Sequence, residues 1–400
     1  VTSAPRFALL AVVVALAAVC TSCASSPAVR PSASPSATVS AEPEPSPTPE
    51  AAPAEAAVAA MSLRERAASV VMGHIPTTDA AALHAYMESS GAGGFLLMGA
   101  NIPGDEAALQ TITAALTVDP ARPPLVAIDQ EGGDVSRLRW DTFPGPLELQ
   151  QADPSAAEAA FAGRAALVRQ AGISVNFGIV ADVTPDTGSF IHRRVLGATP
   201  DAASARVAAA VRGEEGSVFS TLKHFPGHGA APGDSHTAIP STALTLDQWR
   251  AADALPFRAG IDTGAELLMF GHLAYTAVDP APASLSAEWH RIAREELGFD
   301  GVTVTDDLGM LQGSGQPQYA DPVANAVAAL AAGNDMVLTV VYSTPDTATR
   351  IIDGIVAAVE SGALPADRLE DAAIRVIELR FAVAEAGGGD LPCTTCAPAE

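Results

Sequence analysis

The run Lys223-His224-Phe225-Pro226-Gly227-His228-Gly229, followed by Asp234-Ser235-His236, gathers three histidines, a lysine and an aspartate into one short stretch of a 400-residue chain with 8 histidines. These side chains can move protons near neutral pH, grip hydroxyl groups or ligate a metal. Pro226 removes a backbone donor and the glycines favour irregular backbone, so the stretch reads as a loop rather than a helix. Loops carried on rigid scaffolds often do chemistry. Asp234 and His236 make a pair with a particular use: an adjacent carboxylate orients the ring and favours imidazolium, which keeps a proton available. His224, His228, Asp234 and His236 are also metal-ligand types, but Pro226 and Gly227 interrupt the helix face on which His-x3-His normally binds.

The elements that must hold these groups follow from the hydrophobic pattern. Short, continuous apolar runs at 69–73, 94–98, 125–129, 174–179, 218–223, 267–271, 301–305 and 336–340 suit strands buried on both faces of a parallel sheet. Ala-rich stretches around 78–89, 105–117, 155–171, 200–214, 245–263, 286–297, 320–332 and 345–360 read as helices between them. A last helix near 366–384 carries Ile374, Ile377 and Phe381 at helical spacing toward the body. Eight strands alternating with eight helices predict a single (β/α)8 barrel. An open doubly wound sheet is the alternative, but no Gly-x-Gly-x-x-Gly follows the first strand. In the barrel, Asp129, Asp182, Lys223, His224, His272, Asp306 and Asp307 all fall at or just after strand carboxyl ends, the face where barrel enzymes build active sites.

Composition limits the partners. The charge balance is 22 − 46 = −24, which argues against nucleic acid or an anionic membrane surface. Residues 1–23 read as an export signal: Arg6, an apolar run over 7–19, then Cys20-Thr21-Ser22-Cys23. A cysteine after small residues resembles a bacterial lipobox, with Cys23 the better lipidation site and Cys20 the other choice. Residues 24–60, rich in Ala, Pro, Ser, Thr and Glu, read as a disordered tether. The glycosidase-sized body spans 61–386. A tail at 387–400 holds Cys393 and Cys396, read as a local disulfide rather than a zinc site. The membrane enters only through the lipid anchor, and the chain is expected in the cell envelope.

Five stretches taken together resemble glycoside hydrolase family 3, in its β-N-acetylglucosaminidase branch. They are 91–97 (Gly-Ala-Gly-Gly-Phe-Leu-Leu), 126–133 (Val-Ala-Ile-Asp-Gln-Glu-Gly-Gly), 181–183, 223–236 and 298–310. The resemblance implies a retaining glycosidase. Asp306 would be the nucleophile, His236 the acid/base and Asp234 its orienter, with Asp307 structural. Asp129, Arg194, Lys223 and His224 would bind the sugar, Lys223 and His224 donating from the wall opposite Asp129. His228, His272 and Asp182 would stand behind them. The substrate implied is a saccharide or muropeptide with terminal N-acetylglucosamine, with no metal or organic cofactor. The chain departs from the family at 191–197, where His192 replaces Gly and Val195-Leu196 replace Ser-Phe, and at Asp134, where relatives often carry Arg. A β-glucosidase, a phosphorylase and a non-catalytic wall-binding lipoprotein are the competing functions.

Overall fold

The computed structural model describes residues 52–387 and Leu391. The expected signal, Cys20, Cys23, most of the tether, Cys393 and Cys396 lie outside the described residues. The eight apolar runs are strands β1 (Val71–Gly73), β2 (Gly94–Leu97), β3 (Leu125–Ile128), β4 (Val175–Val180), β5 (Phe219–Phe225), β6 (Leu267–Phe270), β7 (Val302–Asp307) and β8 (Met336–Leu338). Each pairs in parallel with its neighbour, and β8 returns to β1 through Val71 opposite Val337, which closes the barrel. The expected (β/α)8 architecture is present.

The interior is filled by side chains, including Met72, Leu96, Phe177, Phe219, Leu267, Met269, Val304 and Met336. Such layers make a barrel a packed core rather than a pore. Helices start where short polar side chains can take orphan backbone donors. Asp79 accepts from the amides of Ala81 and Ala82, Asp105 from Ala108, and Thr199 from Ala202. The helix expected over 245–263 is two pieces, Leu246–Ala251 and Ala254–Asp262. Pro256 accounts for the break, because its ring opposes the carbonyl four residues earlier and it has no N–H to give.

The tether is shorter than expected. Pro53–Ala60 is a helix, with Ala54 and Val58 buried. Its apolar residues pack into the same core as the last helix, Ala366–Ala386, so ordering entropy is offset by burial. That last helix closes the amino end of the barrel. Ile377 is fully buried, while Val383 and Ala386 pack against the barrel interior. Beyond it, the amide of Leu391 donates to the Gly216 carbonyl.

One buried carboxylate ties this end together. Asp335, just before β8, accepts from Arg294 at 2.5 Å, Arg368 at 2.7 Å and Arg375 at 3.2 Å. It also accepts from the backbone and hydroxyl of Thr303. Burial alone would raise this carboxyl, but the three guanidinium groups hold it below its ordinary value of 3.8. The stabilisation is therefore present above the unfolded pKa and is lost as pH falls through the depressed folded value. Asp335→Ala strands buried positive charge and should cost about 3–5 kcal/mol in denaturant unfolding at pH 7. The cost should shrink as the pH is lowered toward 3.

Candidate active site

The site begins with a buried ammonium. Lys223, near the end of β5, is 2% exposed, and its Nζ lies 2.9 Å from Asp129 and 2.7 Å from Glu131. Asp129 follows β3, and the chain then turns through a hairpin, Gln130–Gly132 paired with Val135–Ser136. In extended backbone alternate residues share a side, so Asp129 and Glu131 can both reach one cation. Glu131 also takes a bidentate pair from Arg194 at 2.9 and 2.7 Å. Burial would lower Lys223, yet Asp129 and Glu131 raise it above the ordinary lysine value. Burial would likewise raise Glu131, yet Lys223 and Arg194 hold it down. All four groups are charged.

This arrangement corrects one expectation. Asp129 and Lys223 do not face each other across the sugar site; they are a direct ion pair on one side of it. Lys223 gives donors to each carboxylate and keeps the remainder of its three for a ligand.

His224 is set by a second layer. Its Nδ1 is 2.8 Å from Asp182, which follows β4 and also accepts from the backbone amides of His224 and His228. Burial, then the Arg194 guanidinium, push His224 well below the ordinary imidazole value. The neutral ring therefore donates from Nδ1 to Asp182, and Nε2, 3.4 Å from Arg194 Nη2, is an acceptor. The Nε2 of His224 is therefore an acceptor, where a donor was expected. His228 is 2% exposed, packs edge-on against Phe190 at 4.7 Å, and has no partner for either ring nitrogen among the described residues.

At the end of β7 the two aspartates part company. Asp307 caps the helix Leu308–Gly313 through Gly309 N and reaches Val340 N and Val341 N, each at 2.8 Å. Burial nevertheless raises its carboxyl to about 6. Asp306 accepts at one oxygen from the Asp307 amide at 2.8 Å and has no salt-bridged cation among the described residues. Burial works upward on it, but nearby positive charge, Lys223 included, and the Asp307 amide hold it below 3.8. His272 is buried and fully used, Nδ1 against Ser284 Oγ at 2.7 Å and Nε2 against the Asp307 carbonyl at 2.9 Å. It supports the turn that presents Asp306.

The arm after β5 supplies the other face. Asp234 Oδ1 lies 3.0 Å from the His236 amide and 2.6 Å from His236 Nδ1. Partial burial works upward on Asp234, and the His236 amide and ring together bring it below 3.8. With Nδ1 turned to Asp234, Nε2 is left for a ligand. The His236 side chain is 60% exposed, in contrast to the buried groups beneath it. Asp129, Arg194, Lys223, His224, His228, His236 and Asp306 nevertheless line one cavity of about 200 Å³. That is smaller than the roughly 300–1,000 Å³ clefts that take drug-sized ligands, and suits a single ring. A roomier recess of about 320 Å³ lies at the amino ends of the strands, but Arg64 and Arg122 there are neutralised by Asp353 and Asp119.

Two residues escaped the sequence reading. Glu131 was legible in principle, since it stands two residues from Asp129 in extended chain. Arg137, 3.5 Å from Asp129 and lining the cavity, is reached only because the hairpin folds back. Glu131→Gln leaves Lys223 and Arg194 short of a shared countercharge. It should lower unfolding stability by about 3 kcal/mol, and chemical denaturation at pH 7 measures this.

Residues 62–379 match the glycosyl hydrolase family 3 N terminal domain. A β-hexosaminidase of Methylococcus capsulatus is 34% identical over 272 residues, covering 66% of this chain and 79% of that one. The family 3 β-N-acetylglucosaminidase of Paenibacillus sp. str. FPU-7 superposes with a TM-score of 0.75 at 30% identity, over 85% of this chain and 66% of the other. The β-N-acetylhexosaminidase of Beutenbergia cavernae gives 0.69 at 30% identity, over 80% and 98%. This likeness supports β-hexosaminidase activity. With a carboxylate and a carboxylate-steered imidazole facing one ring-sized cavity at the carboxyl end of the barrel, the chain is a glycoside hydrolase and belongs to glycosyl hydrolase family 3, in its β-N-acetylglucosaminidase branch.

Proposed function

We propose that the chain removes terminal β-linked N-acetylglucosamine by a two-step retaining mechanism, with Asp306 as nucleophile and His236 as acid and base. The observation that carries this reading is that both residues line one cavity, Asp306 on β7 and His236 on the arm after β5. A retaining glycosidase needs such groups on opposite sides of the anomeric carbon. Asp306 suits attack because it stays ionised and is not locked by a cation. Asp129 is engaged by Lys223 and Arg137, and Asp307 by three backbone amides.

In the first step Asp306 forms a bond to the anomeric carbon while His236 Nε2 gives its proton to the departing oxygen. In the second step His236 takes a proton from water, the water attacks the same carbon, and Asp306 leaves as carboxylate. Asp234 holds the imidazole by Nδ1, which keeps Nε2 turned toward the reacting oxygen in both steps. Asp129, Arg194, Lys223 and His224 bind the sugar hydroxyls. Asp182 fixes the His224 tautomer, and His272 fixes the Asp306 turn. The natural material proposed is peptidoglycan fragments, met by an exported enzyme anchored through Cys23.

Asp306→Ala and His236→Ala should each lower kcat on an aryl N-acetyl-β-glucosaminide by about 10²-fold or more without loss of fold. A slow fluorinated sugar should label the wild-type protein at Asp306, seen by intact mass, and leave Asp306→Ala unlabelled. Near-normal rates in either variant reject the assigned role. Adding phosphate should leave free N-acetylglucosamine as the product; a sugar phosphate would make the enzyme a phosphorylase. Because Asp306 is held below 3.8, kcat/KM should not fall through its protonation until the pH drops beneath that value.

A further inference from the structure

The segment after β8 presents an aromatic ring that the fold does not use. Tyr342 is 68% exposed, so its ring adds little to the core. Its φ is +61°, and among the described residues it is the one non-glycine in the left-handed region. For a bulky L-residue this conformation is strained, whereas glycine adopts it freely. A strained backbone that carries an exposed aromatic gains no stability from either feature, and such strain gathers where function requires a position.

The position is also fixed. Asp307 holds the amides of Val340 and Val341. The Ser343 amide donates to the Val340 carbonyl at 3.1 Å, and the Thr339 and Ser343 hydroxyls meet at 2.8 Å. A Cβ on Gly309 would fall 2.2 Å from the Val341 carbonyl oxygen, so the turn sits directly on the helix that follows the nucleophile. Val340 and Val341 line the catalytic cavity. Gly313 locates the tyrosine relative to the arm: a Cβ there would lie 3.1 Å from the His236 carbonyl oxygen and 3.6 Å from the Tyr342 ring. The ring therefore stands beside the segment that carries the proton donor.

We infer that Tyr342 is a specificity-determining residue, a platform against which the leaving sugar packs its apolar face. This rests on the proposed function. If His236 protonates the departing oxygen, the group attached to that oxygen lies along the His236 arm, and Tyr342 borders that path. Aromatic faces with a polar tip are suited to a ring that is apolar on one side and hydroxylated at its rim. The occupant is a second pyranose, as in a disaccharide or muropeptide, rather than the sugar held by Asp129 and Lys223.

The test compares two substrates of the intact enzyme: N,N′-diacetylchitobiose, which has a leaving sugar, and N-acetyl-β-glucosaminyl fluoride, which has none. Tyr342→Gly removes the ring and the strain together, Tyr342→Asn removes the ring with a residue that tolerates the same backbone, and Tyr342→Phe keeps the ring. The ratio of kcat/KM for chitobiose over fluoride should fall about fivefold in the first two, mainly through KM for chitobiose, and hold in the third. Tyr342→Gly should melt no lower than wild type. An unchanged ratio in the glycine and asparagine variants overturns the inference while leaving the glycosidase reading intact. A wild-type enzyme that cleaves neither substrate overturns both.

Discussion

A dehydrated lysine ammonium is tolerable only where carboxylates surround it, and Lys223 imposes that demand on two separate loops. Asp129 and Glu131 must come from the turn after β3, and Arg194 must come from the segment after β4 to keep Glu131 from facing the cation alone. Removing any member leaves an uncompensated buried charge, which costs far more than an exposed pair contributes. The loops are therefore fixed relative to one another by electrostatics rather than by apolar packing. The floor of the sugar site exists because this balance closes.

The floor and the arm have opposite characters, and the chemistry needs both. Lys223, His224 and Asp182 are buried, and their protonation is set by neighbours that cannot move away. Fixed dipoles and charges of this kind stabilise developing charge without reorganising at the moment of reaction. His236 and Asp234 instead sit in solvent. In the proposed mechanism the group that protonates the leaving oxygen and then takes a proton from water needs access to both, and the solvent-open His236 has more of it than the buried His224. Its Nδ1 is committed to Asp182, and its Nε2 faces Arg194 Nη2 at 3.4 Å. The histidine at the end of β5 is thus held by the fold, while the one on the arm after it is open to solvent.

Much of this was legible in the sequence because two periodicities are unambiguous. Eight continuous apolar runs separated by Ala-rich stretches leave little choice but a parallel barrel, and polar residues at the ends of those runs must then meet at one mouth. The polar partners were less accessible. That Lys223 pairs with Asp129 depends on side-chain direction at two strand ends, and that His224 is neutral depends on its burial and on the Arg194 guanidinium arriving from another loop. Helix boundaries failed where a single proline, Pro256, outweighed a good apolar pattern. Pro53–Ala60 looked like tether because its residues are small and it continues an Ala- and Pro-rich stretch, while its burial depends on a helix more than three hundred residues away.

The departures at Asp134 and at 191–197 look, residue by residue, like erosion of a sugar-binding segment. The structure joins them. Arg193 makes a two-point contact with Asp134 at 2.6 and 3.0 Å, so the charge at Asp134 is matched by the neighbour it faces. Both groups are exposed, and such a pair adds little stability. It does fix the segment against the hairpin, next to the residue that matters, since Arg194 beside it still clamps Glu131. Val195 and Leu196, which replace Ser-Phe, are fully buried and fill core. Gln150 Nε2 bonds the carbonyls of His192 and Val195 from beneath. A decaying site loses its buried charges first, because nothing then repays their desolvation. Here the buried charges are intact, and the variation is confined to groups that brace them.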